Sequence, residues 1–316
     1  MSTYKAWTLT GTGSLDVLEL VDRDVSEIGR TDVLIRFKAF SLNYRDIAMA
    51  LGNYPRHMDK GLISGSDGAG EIVAVGSGVT EFVVGDRVAP CFFQDFLGGR
   101  KTAKRLRSAL GADREGVFRQ EVTAWGCLYG ERRVMPGDTV LIQGTGGVSL
   151  FGLQFAVAAG ATVIATTSSD DKIELLKRLG AKHVVNYKMQ PDWGLAARKL
   201  TPNGEGFDSI LDVGGPTTMG ESLKAVKVGG DIHMIGFLGG TEQNTQATIW
   251  HARQAFCNLK SVVVGNRVQF EEMNRAIESL GLKPVLDSST FELKRLKEAY
   301  QYVIDAKHVG KVVVDA

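Results

Sequence analysis

The feature that most constrains this chain is a short apolar strand running into a glycine-rich turn and then into an apolar helix. Thr139 to Gln143 (T-V-L-I-Q) is the continuous apolar run of a buried strand. Gly144-Thr-Gly146-Gly147-Val148-Ser149 follows at once, and Ser149 to Ala159 is apolar on most faces, as suits a helix packed on a sheet. Glycine at 144 allows a tight turn, and glycine at 146 lets backbone approach a pyrophosphate. The N–H groups that open the helix then face the anion. Ser149 takes the third position of the G-x-G-x-x-G fingerprint, where a small side chain still permits close helix–strand packing. In this context the loop reads as a dinucleotide site.

The surrounding pattern alternates in the same way. Thr162 to Thr166 predicts a second strand, and Asp170 to Leu179 a helix with Asp171 and Glu174 at capping-box spacing. His183 to Asn186, Ser209 to Asp212 and Asp231 to Gly236 predict further strands, with Ser261 to Val264 as a sixth. Strands alternating with helices give an α/β fold with a doubly wound parallel sheet. The first third differs. Val33 to Ala39 and Glu71 to Val75 are short strand runs among many glycines, and Gly85 to Val88 reads as a turn entering another strand. That pattern predicts a small barrel or sandwich. Helices over Phe270 to Ser279 and Leu293 to Asp305, then a strand over Lys311 to Val314, complete the chain.

Composition sets the outer limits. A length of 316 residues allows two domains. With 37 basic against 36 acidic residues, the chain offers no electrostatic case for nucleic acid or an anionic membrane. Cys91, Cys127 and Cys257 are odd in number and far apart, which fits a reducing compartment better than a disulfide framework. Met1 to Trp7 does not read as a secretory signal, and no apolar run approaches the roughly 20 residues of a membrane helix. A soluble, cytoplasmic protein acting on a small molecule is expected. Arg100 to Arg114 holds six basic residues with Leu106 and Leu110 at helical spacing; a solvated helix or loop face is the simpler reading, and a phosphate or acidic-partner site the alternative.

The type of dinucleotide follows from the end of the second strand, Thr166-Thr167-Ser168-Ser169, with Lys172 close behind. A 2′-phosphate takes hydroxyl and cationic partners and is repelled by a carboxylate. Asp170 and Asp171 are placed to cap the helix, so NADPH is expected over NADH. The alternative is that Ser168 and Ser169 merely cap that helix while Lys172 is a solvated lysine.

Several runs together carry a family resemblance. They are V-T-A-W-G-C-L-Y around Thr123, P-G-D-T-V-L-I-Q-G-T-G-G-V-S, A-T-T-S-S-D-D-K and H-V-V-N-Y. Asn43-Tyr-Arg-Asp46, Gly52-Asn-Tyr54-Pro55, Gly65-Ser-Asp-Gly-Ala-Gly70-Glu71 and the tail His308-Val-Gly-Lys-Val-Val join them. The chain resembles the medium-chain dehydrogenase/reductase superfamily, and within it the zinc-independent quinone oxidoreductase and enoyl reductase branch. The resemblance implies a Rossmann domain beside a β-rich, GroES-like barrel catalytic domain. The expected division is 1–122 catalytic, 123–266 Rossmann and NADP-binding, and 267–316 returning to the catalytic part. It also implies a possible homodimer.

The resemblance distributes roles among the residues. Zinc-dependent relatives carry cysteine and histidine where this chain has Asn43 and Ser66, and Cys91 stands alone where a structural zinc lobe has four cysteines, so no metal is expected. Without a metal, reduction of an activated C=C bond is favoured over alcohol oxidation: hydride adds at the β-carbon and charge moves to the carbonyl oxygen. Tyr54 matches the tyrosine implicated as proton donor, its alternative being a ring packed at the cleft mouth. Asn43 matches a residue on the nicotinamide side, its alternative being a loop-capping amide. Thr123 resembles a nicotinamide-ribose contact; Gly147 and Val148 lie in the pyrophosphate turn, and Ser168, Lys172 and Tyr187 resemble 2′-phosphate and adenosine contacts. Val213, Phe237 and Leu238 would line the ribose and nicotinamide, core packing being the alternative for Phe237 and Leu238. Gly265-Asn266-Arg267 matches a run near the cofactor.

One departure stands out. Relatives carry on the order of 30 to 40 residues between a G-V-F-R-like run and the T-A-W-like run. Here Gly116 to Gln120 passes almost directly into Glu121-Val-Thr123. The expected activity is NADPH-dependent reduction of an α,β-unsaturated carbonyl, enoyl thioester or quinone. The alternatives are an NADP-dependent alcohol dehydrogenase and, given the short join, a non-catalytic NADPH-binding protein.

Overall fold

A computed structural model describes residues 3–54, 60–117, 122–239 and 247–316. The first stretch supplies strands β1 (Thr3–Leu9), β2 (Leu18–Asp24) and β3 (Val33–Ser41), helix α1 (Tyr44–Ala50), and strands β4 (Gly68–Val75) and β5 (Arg87–Val88). The middle alternates: α2 (Val122–Tyr129), β6 (Thr139–Gln143), α3 (Gly147–Ala158), β7 (Thr162–Thr167), α4 (Ile173–Arg178) and β8 (His183–Asn186). It continues with α5 (Trp193–Lys199), β9 (Phe207–Asp212), α6 (Pro216–Ala225), β10 (Val226–Met234), α7 (Ile249–Gln254) and β11 (Asn258–Ser261). Helix α8 (Arg267–Leu280), β12 (Leu286–Glu292), α9 (Leu296–Ile304) and β13 (Lys311–Asp315) close the order.

These elements form two compact units. The first comprises residues 1–120, 266–268 and 286–316, the second 121–265 and 269–285. In the first, β3 is the hub of a sheet ordered β12-β13-β3-β4-β5, and β1 and β2 form an antiparallel ribbon. The carboxyl-terminal strand β13 pairs with β3, Val313 lying opposite Ser41, so the end of the chain completes the sheet begun near its start.

The second unit is the doubly wound sheet, ordered β11-β10-β9-β6-β7-β8 with every pair parallel. All five residues of β6 are buried, as expected of a central strand covered by helices on both faces. Leu141, Ile164, Phe207, Ile210 and Ile232, each fully buried, cluster with Trp193 and Ala197 of α5 in one hydrophobic core. Helix α3 reaches the sheet at closest approach through Gly152. A β-carbon there would stand 2.6 Å from Leu211 Cδ2 on β9 and 3.3 Å from Ile142 Cδ1 on β6.

Some boundaries differ from the sequence reading. The sixth strand is Asn258–Ser261, three residues before the apolar run chosen for it. Asn258 lies opposite Asp231 and its amide donates to that carboxylate at 2.9 Å, so polar pairing at a sheet edge sets the register. The partner strand ends at Met234, not Gly236. The helix expected from Asp170 opens as a 3-10 turn over Asp170–Lys172, and no capping box forms. Asp171 instead accepts the Ser169 hydroxyl at 3.2 Å, and Asp170 accepts the Asn186 amide at 2.8 Å. The basic stretch from Arg100 is a loop with one 3-10 turn, folded around Arg105, whose guanidinium donates to the carbonyls of Gly98 and Arg100. Among the described residues no helix is long and apolar enough to cross a membrane.

Two outcomes follow for stability. Gly152→Val should destabilise the protein by about 1–3 kcal/mol or more, since the added carbons meet β6 and β9, and thermal unfolding measures it. His233 on β10 is buried, which pushes its imidazole from the ordinary 6.5 down to about 4. The unfolded chain therefore takes up a proton that the fold resists between these values. Stability is full above pH 6.5 and falls on acidification towards pH 4, by up to about 3 kcal/mol for this group. Denaturant titrations across that window should show the slope in the wild type and a shallower one in His233→Leu.

Candidate active site

The second unit gathers most of the expected cofactor residues at the carboxyl ends of its strands. Gly144 has φ +76°, a backbone geometry that favours glycine, and its N–H is held by Thr166 O at 3.0 Å. Gly146 is the N-cap of α3, and a β-carbon at either glycine would meet nothing within 4 Å. The first turn of this 12-residue helix contains no acidic residue and no side-chain cap. Its leading N–H groups and helix dipole thus present a positive end beside an open glycine cradle, the arrangement that receives a pyrophosphate. Ser149 is buried, and its hydroxyl donates back to Gln143 O at 2.7 Å, locking the turn to β6.

The neighbouring strand ends meet in the same place. Ser168 and Lys172, both half-buried, follow β7, and Tyr187, 40% exposed, follows β8 with its N–H on Thr167 O. Val213 follows β9, and its carbonyl accepts the Leu238 N–H at 3.2 Å, which brings Leu238 and the adjacent Phe237 beside it. Leu238 is 53% exposed and Phe237 is half-buried, so Leu238 is not a core residue. Asp212 fixes this corner: its carboxylate accepts from Gly215 N–H, Thr218 and Ser222 hydroxyls, and the Gln143 amide. Thr123 lies buried on α2 of the same unit.

Asn266 and Arg267 belong to the first unit instead. Arg267 N–H bonds Phe96 O at 3.1 Å, and its guanidinium pairs with Glu81 at 3.1 Å. The short join of the sequence falls at residues 118–121, outside the described residues.

The first unit places Asn43 and Tyr54 at opposite ends of α1. Asn43 is buried at the N-cap, and both ends of its amide are engaged: Nδ2 donates to Asp67 Oδ2 at 3.1 Å and Ser66 Oγ at 3.4 Å, while Oδ1 accepts from Lys311 Nζ at 2.6 Å. The Asn43 backbone N–H donates to Asp46 Oδ2 at 3.1 Å. Asn43 thus caps and cross-links. Tyr54 lies past the helix end with the Arg45 guanidinium 5.3 Å from its ring centroid.

Around Asn43 is a buried charged cluster that the sequence reading did not isolate. Asp46 is fully buried, which pushes its carboxyl up, while Arg45, the Asn43 N–H, Lys311 and Ser66 act against that. Lys311 Nζ also donates to Leu42 O at 3.0 Å and stands 3.5 Å from Asp67. Tyr300 is buried nearby, its phenol pushed well up by burial and by the Asp46 charge. The signals were present as adjacent opposite charges, Arg45-Asp46, beside an apolar helix, and a lysine opening an apolar strand.

Asn43 and Ser66, the two positions where a zinc-dependent relative carries ligands, do meet in space. They supply an amide and a hydroxyl, with the Lys311 ammonium on the same amide; this donor set does not fit zinc, which prefers thiolate and imidazole. The glycine cradle of the second unit does fit a dinucleotide.

Comparison with known proteins agrees with this architecture. Residues 29–128 match the model of the alcohol dehydrogenase GroES-like domain, and residues 147–280 that of the zinc-binding dehydrogenase. A zinc-type alcohol dehydrogenase-like protein of Schizosaccharomyces pombe is 40% identical, over 90% of each chain. A 2-haloacrylate reductase of a Burkholderia species is 28% identical over 92% of each. Among solved structures, a putative alcohol dehydrogenase of Sinorhizobium meliloti is 33% identical and superposes with a TM-score of 0.89, covering 100% of both chains. A mycobacterial protein complexed with NADPH is 27% identical, with a TM-score of 0.79 over 100% of both.

Proposed function

The chain belongs to the medium-chain dehydrogenase/reductase superfamily, a family of NAD(P)-dependent oxidoreductases, and from that premise we propose that it is an NADPH-dependent, zinc-independent reductase of activated C=C bonds. The observation that supports this reading is the meeting of Asn43 and Ser66, with Lys311 held on the same amide. These two positions offer an amide and a hydroxyl, and the Lys311 ammonium on the same amide would repel a nearby metal cation. Lacking a Lewis acid, the site is matched to a reaction in which the charge produced is spread over a conjugated carbonyl. The name of the Burkholderia relative, a reductase of a haloacrylate, points to the same chemistry.

NADPH is favoured by the β7 end. Asp170 and Asp171 are turned onto Asn186 and Ser169, while Ser168 and Lys172 supply a hydroxyl and a cation to a 2′-phosphate. The NADPH-bound mycobacterial neighbour is consistent with this. When bound, the nicotinamide supplies the hydride. The contribution of the chain is to hold the pyrophosphate on the α3 N-terminus, orient the ribose beside Val213 and Leu238, and deliver a proton from the Tyr54 phenol. Asn43 acts as a positioning residue through the helix it caps.

Purified protein should oxidise NADPH with a small enone and not with a saturated aldehyde. Inactivity with enones, quinones and enoyl thioesters alike would overturn the proposal, and steady alcohol-dependent NADPH formation would favour the dehydrogenase suggested by the yeast relative's name. Lys172→Ala should weaken NADPH binding about tenfold and leave NADH within about twofold, as one charge-assisted contact predicts. Tyr54→Phe should lower kcat with the enone by about a hundredfold while NADPH affinity stays constant.

A further inference from the structure

The two adjacent charges on α1 leave one of them incompletely matched. The Arg45 side chain is 10% exposed, and its Nη1 meets Asp46 Oδ1 at 3.3 Å. The guanidinium carbon stands 4.9 Å from the Phe92 ring centroid as well as 5.3 Å from that of Tyr54. Its Nε and Nη2 groups are buried and meet no acceptor among the described residues. Aromatic faces stabilise a cation but do not satisfy N–H groups pointing outward in the guanidinium plane. Leaving donors of a permanently charged group unmatched in the interior is costly, and such an arrangement calls for a partner.

The shape of the unmatched edge specifies that partner. Nε and Nη2 lie side by side and present two parallel N–H bonds, the fork that accepts both oxygens of a carboxylate. The same chain shows this use on its surface, where Arg295 holds Glu298 through Nε at 3.0 Å and Nη2 at 2.6 Å. Arg45 addresses Asp46 with its other terminal nitrogen, so that bond does not use the fork. Asp46 is already occupied by Asn43 N–H and Ser66. Its carboxyl is pushed up by burial, towards its neutral form, which leaves the Arg45 charge less offset. An uncharged carbonyl has one oxygen and would satisfy this edge only in part.

We propose that the Nε/Nη2 edge of Arg45 binds a carboxylate of the substrate beside Tyr54, so that the substrate class is an α,β-unsaturated carboxylic acid. The substrate assignment rests on the reductase reading above, while the binding itself does not. Pairing with guanidinium draws charge out of the carboxylate and makes the conjugated C=C bond more electron-poor, which an isolated enoate anion requires before it can accept hydride.

The test uses crotonate and crotonamide, near-isosteric planar molecules that differ in charge, titrated into the full chain saturated with NADPH and followed by thermal shift. Crotonate should raise the melting temperature saturably, and crotonamide should not. Arg45→Gln and Arg45→Lys should each weaken crotonate by about ten- to a hundredfold with NADPH affinity unchanged, lysine keeping the charge but not the fork. Arg295→Gln, which removes the same fork from the surface, should leave crotonate binding intact. Equal binding of the two probes by the wild type, or undiminished crotonate binding by Arg45→Lys, overturns the proposal. The wild-type comparison stands even where a variant does not fold. Crotonate binding through Arg45 without reduction of crotonate or of any enone would sink the reductase reading alone; reduction of neutral enones at equal rates in wild type and Arg45→Lys, with crotonate ignored, would sink this one alone.

Discussion

The ammonium of Lys311 is the charge on which the first unit is organised. It is buried, and a buried cation is tolerated only where partners surround it. Those partners come from distant parts of the chain: Leu42 O and Asn43 Oδ1 at the entrance to α1, and Asp67 at the entrance to β4. Since Asn43 also binds Ser66 and Asp67, one network joins the last strand, the first helix and the glycine-rich strand. The sheet pairing of β13 with β3 brings the lysine there. That junction fixes Asn43 and with it the start of α1.

The second unit relies on a simpler rule. Its strands are parallel and apolar on both faces, so their carboxyl ends converge on one edge, where backbone N–H groups and loop side chains are free to meet a ligand. The buried Asp212 stiffens this edge by gathering donors from the turn after β9, from α6 and from β6. The two units thus rest on different physics: ion pairing in one, oriented backbone dipoles in the other.

How legible these parts were in the sequence follows from the same division. Apolar periodicity located β6, α3 and β7 nearly to the residue, because strands covered on both faces have few polar positions to confuse the pattern, and β8, an edge strand, was found through its Val184-Val185 pair. It failed at β11, an edge strand whose register is set by Asn258 and Asp231 and whose polar residues look like loop. It misread the start of α4, because Asp170 and Asp171 found partners outside the helix. The short motifs located Asn43 and Tyr54, but the condition of Arg45 was invisible: a guanidinium lacking acceptors on one edge is a property of three-dimensional packing. Lys311 was similarly hidden, its partner Asn43 lying 268 positions away.

That separation also has a temporal meaning. At roughly 5–20 residues per second, a ribosome exposes Asn43, Asp46 and Asp67 tens of seconds before it reaches Lys311. Throughout that interval the buried Asp67 carboxylate waits for its lysine, and before the interval ends the parallel sheet of the second unit has all six of its strands. The cofactor-binding half can therefore mature during synthesis, and the charged centre of the other half is the last part of the molecule to close.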